Sequence, residues 1–413
     1  MTKAATQVRR AVIVATCTLS LTAPSLSELQ AQVLLSVRRL AAPEASFPDG
    51  FTTITGMREL PDGRVLVADS RERTLRAVDL RTGASTAVGR EGAGPLEWGM
   101  PSRLYAMPGD STMMSDFLNA RYLIILPDGR PGPTFRIPES SPAWNGSLVG
   151  VDLRGRLILT RAHVVSTERM GSTTGVVYVI RYDRASSKVD TIAELAVPKG
   201  ERSGARSMPG GMLLSYTNLP FAASDAVASM MSLSHGRVAI VRAADYHMDW
   251  IDESGRRTAG PKAQPSAIRI TAAEKEAFTK AQVRPGAIVV RGPIGGGAAA
   301  PGASSGGGIA RGGAVALPPG STLGNEEMMW PAVKPPVVAN SVFLSTDGRV
   351  WAMRARAHDD SLHTYDLFDA AGRVAERVQL PARTRLVGFG KSTVYLARTD
   401  DDDLQILERY RLP

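Results

Sequence analysis

The sequence predicts an all-β fold: a six-bladed β-propeller of four-stranded antiparallel blades, the last blade closed by the N-terminal strand. Three observations predict it. A tight-turn motif recurs along the chain, short β-rich runs flank each copy, and the copies repeat at about the spacing of a propeller blade.

The turn motif is LPDGR at Leu60–Arg64 and again at Leu126–Arg130. Related turns are Asp79–Gly83, Asp152–Arg156, Ser234–Arg237, Asp252–Arg256, Ser345–Arg349 and Asp369–Arg373. Asp-Gly and its relatives supply the positive φ that tight hairpins need. Runs such as VLVAD, YLIILP, RVAIVRA and RVWAMRA beside them carry strand chemistry at hairpin spacing.

The turns come in pairs. Gly63 and Gly83 are 20 residues apart, Gly109 and Gly129 20, Gly236 and Gly255 19, and Gly348 and Gly372 24. Each pair fits one four-stranded unit, the first glycine closing the inner hairpin and the second the outer. A further unit starts at Gly155 with its outer turn at Ser186-Ser187. The last has a turn at Lys391-Ser392 and a loop at Asp400–Asp403. First turns at 63, 109, 155, 236, 348 and 390 give steps of 46, 46, 81, 112 and 42. The short steps match the roughly 40–50-residue period of propeller blades. The long ones are a period plus an insertion. The last unit has only three strands, and Val33–Leu40 is a spare strand expected to complete it. Closure removes the open sheet edges that favour aggregation.

Residues Gly89–Asp116 carry a Gly-Pro step (Gly94-Pro95), an acidic-aromatic pair (Glu97-Trp98), Pro101 and a hairpin ending in Asp116; Arg121 and the Asp128-Gly129 turn follow. This pattern resembles the NHL-type six-bladed propeller repeat. The likeness is sharp over 59–136, looser at 148–197 and 224–259, and returns at 338–412. It implies a propeller of the kind found in exported bacterial proteins, and no particular activity.

Two insertions interrupt the ring. Residues 262–335 open with Thr271-Ala272-Ala273-Glu274, a capping-box pattern that predicts a helix from Ala272 to Gln282, ending before Pro285. Arg291–Gly320 then holds eleven glycines in thirty residues, a composition expected to be disordered. The other insertion, Pro198–Ala223, reads as a loop folded onto one face of the ring.

The N-terminus reads as a cleavable secretory signal over residues 1–31. Lys3, Arg9 and Arg10 precede the apolar Ala11–Leu21, and small residues lead to a cut after Ala31, with Ala23 the earlier option. This eleven-residue segment falls short of the roughly 20 a membrane span needs, and no later segment is long and apolar enough either. The expected location is periplasmic or secreted. The single cysteine, Cys17, lies inside that signal, so the mature domain, 32–413, has no thiol or disulfide. Thr16 beside Cys17 is too bulky for a lipid-attachment site, so lipid anchoring is not expected.

Net charge is +9, and +7 beyond residue 31. Lysines and arginines form no run, and aromatics are 6%, which argues against nucleic-acid binding. Mild basicity suits an acidic partner.

Several short strings invite a chemical reading, and their context removes each. Gly390-Lys391-Ser392 looks like the end of a phosphate loop, but Arg385 stands where the first glycine belongs and a strand, not a helix, follows. Gly302–Gly306 matches G-x-S-x-G only within the glycine tract. His358-Asp359-Asp360 with His363, and Asp400–Asp403, lack the ligand alternation of calcium or zinc sites. Asp69 and Asp116, ending second strands, read as caps on loops between blades.

Inner strands are expected at Thr52–Glu59, Ser102–Met107, Leu148–Asp152, Val227–Leu233, Val338–Leu344 and Arg385–Phe389. Their polar residues are mainly Thr53, Thr55, Arg103, Asn340 and Arg385. Arg103, Asn340 and Arg385 are the ligand-channel candidates, a cationic mouth for a small acidic ligand. Some six-bladed propellers are calcium-dependent lactonases and esterases with the metal held by channel carboxylates. Here such carboxylates are scarce, Asp225 and Asn145 at strand entries being the nearest. The expected function is therefore a monomeric, exported module that binds a small acidic ligand or a protein. No catalytic residue or cofactor is assigned. A calcium-dependent hydrolase is the alternative.

Overall fold

The computed structural model describes residues 35–413 except 96, 145, 166–171, 197, 199–202, 208–212, 218, 231–235 and 284–327. The signal segment with Cys17, Asn145 and the glycine tract with Gly302–Gly306 lie outside the described residues.

Six antiparallel sheets form the ring, each ordered from an inner to an outer strand. Blade 1 is Ile54–Glu59, Val65–Asp69, Thr74–Val78 and Ser85–Ala87. Blade 2 is Pro101–Ala106, Thr112–Asp116, Arg121–Ile125 and Pro131–Phe135. Blade 3 is Ser147–Val151, Leu157–Val165, Ser172–Tyr182 and Val189–Ala196. Blade 4 is Ala226–Val227, Val238–Arg242, His247–Ile251 and Arg257–Ala259. Blade 5 is Val337–Leu344, Val350–Arg354, Thr364–Phe368 and Val374–Gln379. Blade 6 takes Thr384–Phe389, Thr393–Thr399 and Gln405–Arg411 from the C-terminus and Ala45–Ser46 from the N-terminus.

Antiparallel order sorts the connections. Turns between first and second, and third and fourth, strands emerge on one face, here the turn face. Second-to-third loops and blade-to-blade connections emerge on the other, the loop face. The sequence motif builds the turn face. Gly63 has φ 85° and Gly155 φ 76°, conformations that cost an L-residue. The motif's aspartate and arginine lock the turn. Asp62 accepts from the Arg64 amide at 3.0 Å and from its Nε at 2.7 Å. Asp152 accepts from the Arg156 amide at 3.0 Å and its Nε at 2.7 Å.

An N-terminal strand closes the last blade as expected, but the closing residues lie further along than Val33–Leu40. Ala45 and Ser46 pair with Arg409 and Glu408. Val37–Arg39 instead adds in parallel to Arg377–Gln379, as a fifth strand on blade 5. The core decides this. Phe47 and Phe51 are buried with Ile54, Val387 and Leu407 between blades 6 and 1. Their burial fixes where the chain enters the ring and leaves Ala45–Ser46 beside the last strand. Val37–Arg39 is exposed throughout, so its pattern carried no core signal.

Inner strands crowd together near the axis, and glycines permit it. A Cβ on Gly56 would sit 2.5 Å from the Ser102 carbonyl oxygen and 2.9 Å from the Leu104 nitrogen of blade 2. One on Gly150 would lie 2.4 Å from Met230 Cβ of blade 4. Blade 4's inner strand is short, and its continuation bonds sideways. Ser229 N donates to Val342 O at 2.9 Å in blade 5, and Met230 N to Val149 O at 3.1 Å in blade 3.

The predicted helix spans Ala272–Val283. Thr271 caps it, accepting from the Glu274 amide at 3.3 Å. The Glu274 side chain does not complete the capping box. It is buried and pairs with Lys334 Nζ at 2.5 Å and the His358 amide at 2.9 Å, because the tertiary partners supply a full charge. Phe278 packs edge-on against Phe221 (5.1 Å) and Trp330 (5.4 Å). The helix thereby joins the ends of both insertions on the loop face. Between those ends, Ser203–Ser207 pairs with Leu213–Thr217 as a hairpin.

Gly56→Ala should destabilise the fold by about 1–3 kcal/mol, the usual cost of overpacking against backbone, read from urea unfolding. Burial would raise the Glu274 pKa, but Lys334 and the His358 amide outweigh it and hold the carboxyl below its usual range. Its stabilisation is therefore complete above the unfolded value of about 4.3 and fades as pH falls below it. Hydrogen exchange should show Ala272–Val283 losing protection as pH falls below about 4.3, ahead of the blades. Glu274→Gln should abolish that pH step.

Candidate functional site

At the loop-face end of the axis is a cavity of about 150 Å³ lined by Ile54, Thr55, Arg103, Ser229, Asn340, Phe343, Arg385, Leu386 and Val387. It gathers residues from five inner strands or their continuations. All three channel candidates, Arg103, Asn340 and Arg385, lie in its wall.

Strand irregularities aim several of these groups. The blade 1 ladder shifts register between Ile54 and Gly56, freeing Thr55, whose hydroxyl donates to Ala68 O at 3.1 Å. The blade 6 ladder shifts between Leu386 and Gly388, freeing Val387. Blade 5 is irregular between Val337 and Val342, and within that stretch Asn340 takes φ 62°, the left-handed conformation asparagine tolerates best after glycine. Thr53, also expected near the mouth, is not in the cavity wall; its hydroxyl donates to Thr52 O at 2.7 Å.

Arg385 is partly buried and held by neutral acceptors. Its Nη2 donates to the Ile54 carbonyl and, at 2.7 Å, to Gln405 Oε1. Burial pushes its pKa down, and the Tyr365 phenol opposes that. Arg103 is exposed to the cavity. Neither arginine forms an ion pair among the described residues, and no carboxylate lines the cavity. Phe343 lines the pocket, its ring tilted at 49° to Tyr365 at 6.5 Å, itself 5.8 Å from Trp351. The result is a small recess with guanidinium and amide donors on an apolar floor.

Many strand arginines elsewhere are paired with carboxylates. Asp116 accepts from the Gly99 and Met100 amides at 2.9 and 3.1 Å, and from Asn119 Nδ2 and Arg121 Nε at 2.7 and 3.0 Å. Arg121 then donates to the carbonyls of Ala93, Gly94 and Glu97. Asp69 holds Thr52 and Thr53 amides at 2.7 and 3.1 Å, and Arg71 and Glu72 amides at 3.0 and 3.1 Å. Both cap the amides of the loops that enter their blades, as their positions suggested. Asp225 is another: it takes Arg242 Nη1 at 2.7 Å and the Ala243 and Ala196 amides at 3.1 and 2.9 Å, well occupied away from the cavity wall. Asp249 and Asp366, which no sequence motif marked, tie strands within a blade: Asp249 takes Arg242 and Arg257 in blade 4, and Asp366 takes Arg354 and Arg377 in blade 5. Their signal was an acidic residue inside a strand flanked by strand arginines.

A wider groove of about 470 Å³ lies between blades 3 and 4. Its two arginines, Arg242 and Arg257, are both paired with Asp249, at 2.7 and 2.8 Å, so it has little charge to offer a ligand.

The remaining motifs are spent on structure. The Lys391 amide donates to Glu59 Oε1 at 3.3 Å, so Gly390–Ser392 is a hairpin turn gripped by a carboxylate. Asp400 accepts from the Asp402 and Leu404 amides at 3.0 and 2.9 Å, and Asp401 pairs with Arg383. Asp360 caps the Leu362 amide at 2.9 Å, and His363 Nδ1 lies 2.9 Å from Thr384 O. Among the described residues, no three acidic, histidine or cysteine side chains cluster to hold a metal ion. A calcium ion in the cavity would meet two guanidiniums instead of the carboxylate oxygens it needs, so this site does not fit one.

The fold and site define the chain's class: a six-bladed β-propeller with a cationic recess at the loop-face mouth of its axis. No family model matches the sequence, and no curated protein sequence does. Among solved structures, a Bacteroides fragilis protein thought to be exported is 12% identical over 92% of this chain and 95% of its own, with a TM-score of 0.45. Virginiamycin B lyase from Staphylococcus aureus is 10% identical over 90% and 97%, TM-score 0.36. Regucalcin, a calcium-binding protein from Agrobacterium tumefaciens, is 12% identical over 92% and 97%, TM-score 0.35. The fold assignment rests on the strand topology, and these likenesses assign no activity.

Asp116→Ala would strand the Arg121 guanidinium, whose side chain is 6% exposed. It should cost about 3–5 kcal/mol, seen as a lowered midpoint in chemical denaturation.

Proposed function

We propose that this propeller is a binding module outside the cytoplasm that captures the carboxylate or phosphate group of a small acidic molecule at the loop-face mouth of its channel. One observation carries this reading. Arg103 and Arg385 share a recess that no carboxylate lines, in a protein that pairs most of its other strand arginines. A partly buried cation without a counterion costs free energy, and an anionic ligand returns it. The recess volume of about 150 Å³ suits a compact head group. Asn340 adds an amide donor, and Phe343, Leu386 and Val387 take an apolar portion. The cavity wall holds no histidine, carboxylate or cysteine to act as base or nucleophile, which favours capture over turnover. The basic, apolar and small-residue order of residues 1–31 supports export.

Calorimetry with inorganic phosphate and citrate tests the reading. Binding should weaken as salt rises. Arg103→Ala and Arg385→Ala should each weaken it about 10- to 100-fold, the worth of a charge-assisted hydrogen bond. Absence of binding by either anion at low salt, or binding untouched by both substitutions, would defeat it.

A further inference from the structure

Gln405 lies on the third strand of blade 6, outside the wall of the recess, yet it touches both sides of the closing seam. Its Oε1 accepts from the Ile54 amide at 2.8 Å and from Arg385 Nη2 at 2.7 Å. Its backbone exchanges bonds with Phe51: Gln405 N to Phe51 O at 2.7 Å, and Phe51 N to Gln405 O at 3.0 Å. Arg385 also donates to Ile54 O. One amide oxygen therefore fixes the start of blade 1 and the guanidinium of blade 6 together.

The choice of an amide is informative. Both groups that Gln405 Oε1 serves are donors, and a carboxylate oxygen would accept from both more strongly. In this propeller the arginines that brace blades do receive carboxylates: Arg121 from Asp116, Arg242 from Asp225 and Asp249, Arg354 and Arg377 from Asp366, and Arg398 from Glu408. Arg385, partly buried at the seam, does not. It is held in place by two neutral oxygens, and no carboxylate figures among the influences on its charge. A glutamate here would make the seam bond stronger and would cancel the charge of the recess.

We propose that Gln405 is a specificity-determining positioning residue: it aims the Arg385 guanidinium into the channel mouth while leaving its positive charge for the ligand's anionic group. The inference rests on the anion-binding reading above and adds what keeps that site cationic. It also links binding to ring closure. An anion on Arg385 strengthens the guanidinium's hold on Ile54 O and Gln405, so ligand should stabilise the seam.

The test compares Gln405→Glu and Gln405→Leu with the unaltered full chain, measuring thermal midpoint without ligand and affinity for phosphate and citrate by calorimetry. Gln405→Glu should melt at or above the parent temperature yet bind at least tenfold more weakly. Gln405→Leu keeps the charge but loses the anchor, so it should melt lower and bind only about threefold more weakly. A residue of merely structural importance would give affinity and stability in the same rank order, and the expected orders differ. Gln405→Asp, which sets a shorter carboxylate before the same guanidinium, substitutes if Gln405→Glu does not fold. If the parent binds anion and the carboxylate variants bind within twofold of it, the role assigned to Gln405 is wrong and the anion site stands. If the parent binds neither anion, both fall.

Discussion

A propeller is a closed ring, and closure of the seam between blades 6 and 1 is the constraint on which the other features of this structure depend. The seam is made by residues nearly the whole chain apart. Ala45–Ser46 completes the C-terminal blade, Phe47 and Phe51 fill the core between the blades, and Gln405 bonds Phe51 through the backbone and Ile54 through its side chain. On the turn face Glu59 of blade 1 takes the Tyr395 hydroxyl at 2.6 Å and the Thr393 hydroxyl at 3.0 Å from blade 6. Contacts this distant in sequence carry a large loop-closure entropy, so they hold only when many form together. The same seam presents Arg385 to the channel. Stability and the candidate site thus share one set of bonds.

Charge is used in two ways in this ring. Within blades, buried carboxylates such as Asp116 and Asp366 are surrounded by amides and guanidiniums of the same blade and its entry loop. These are directional bonds that hold strands and entry loops together, and removing one partner would leave the other buried and unpaired. At the axis the arrangement changes: Arg103 and Arg385 are presented with neutral neighbours. The contrast within one molecule is what distinguishes a binding recess from a structural bond. The backbone contributes as well, since ladder irregularities fall at Thr55, Asn340 and Val387, all in the wall of the recess.

Much of the fold is legible in the sequence because its signals are local. Asp62-Gly63 or Asp347-Gly348 encodes a turn within five residues, through positive φ and an aspartate that binds the next amides. Thr271 encodes a helix start in the same way. From such turns the blade count, the inner strands and the three channel candidates follow by spacing. Three things were not legible. The closing strand is two residues long and largely polar in its surroundings, so Val33–Leu40 looked the better candidate. Glu274 has the spacing of a capping box, but its partner is Lys334, sixty residues on. Gln405 sits in an ordinary strand, and nothing nearby marks it as the holder of Arg385.

The sequence by itself determined the repeat, its turns, the six-bladed count and the scarcity of carboxylates on the inner strands, because backbone dihedral preference and strand alternation act over a few residues. Only the tertiary structure decided which segment closes the ring, which aspartates tie which strands, and that Arg103, Asn340 and Arg385 meet in one recess with a neutral amide behind the last of them. Those outcomes depend on six strands converging on one axis. There a single Cβ at Gly56 or one formal charge at Gln405 would change the packing or the field, and no local pattern records that convergence.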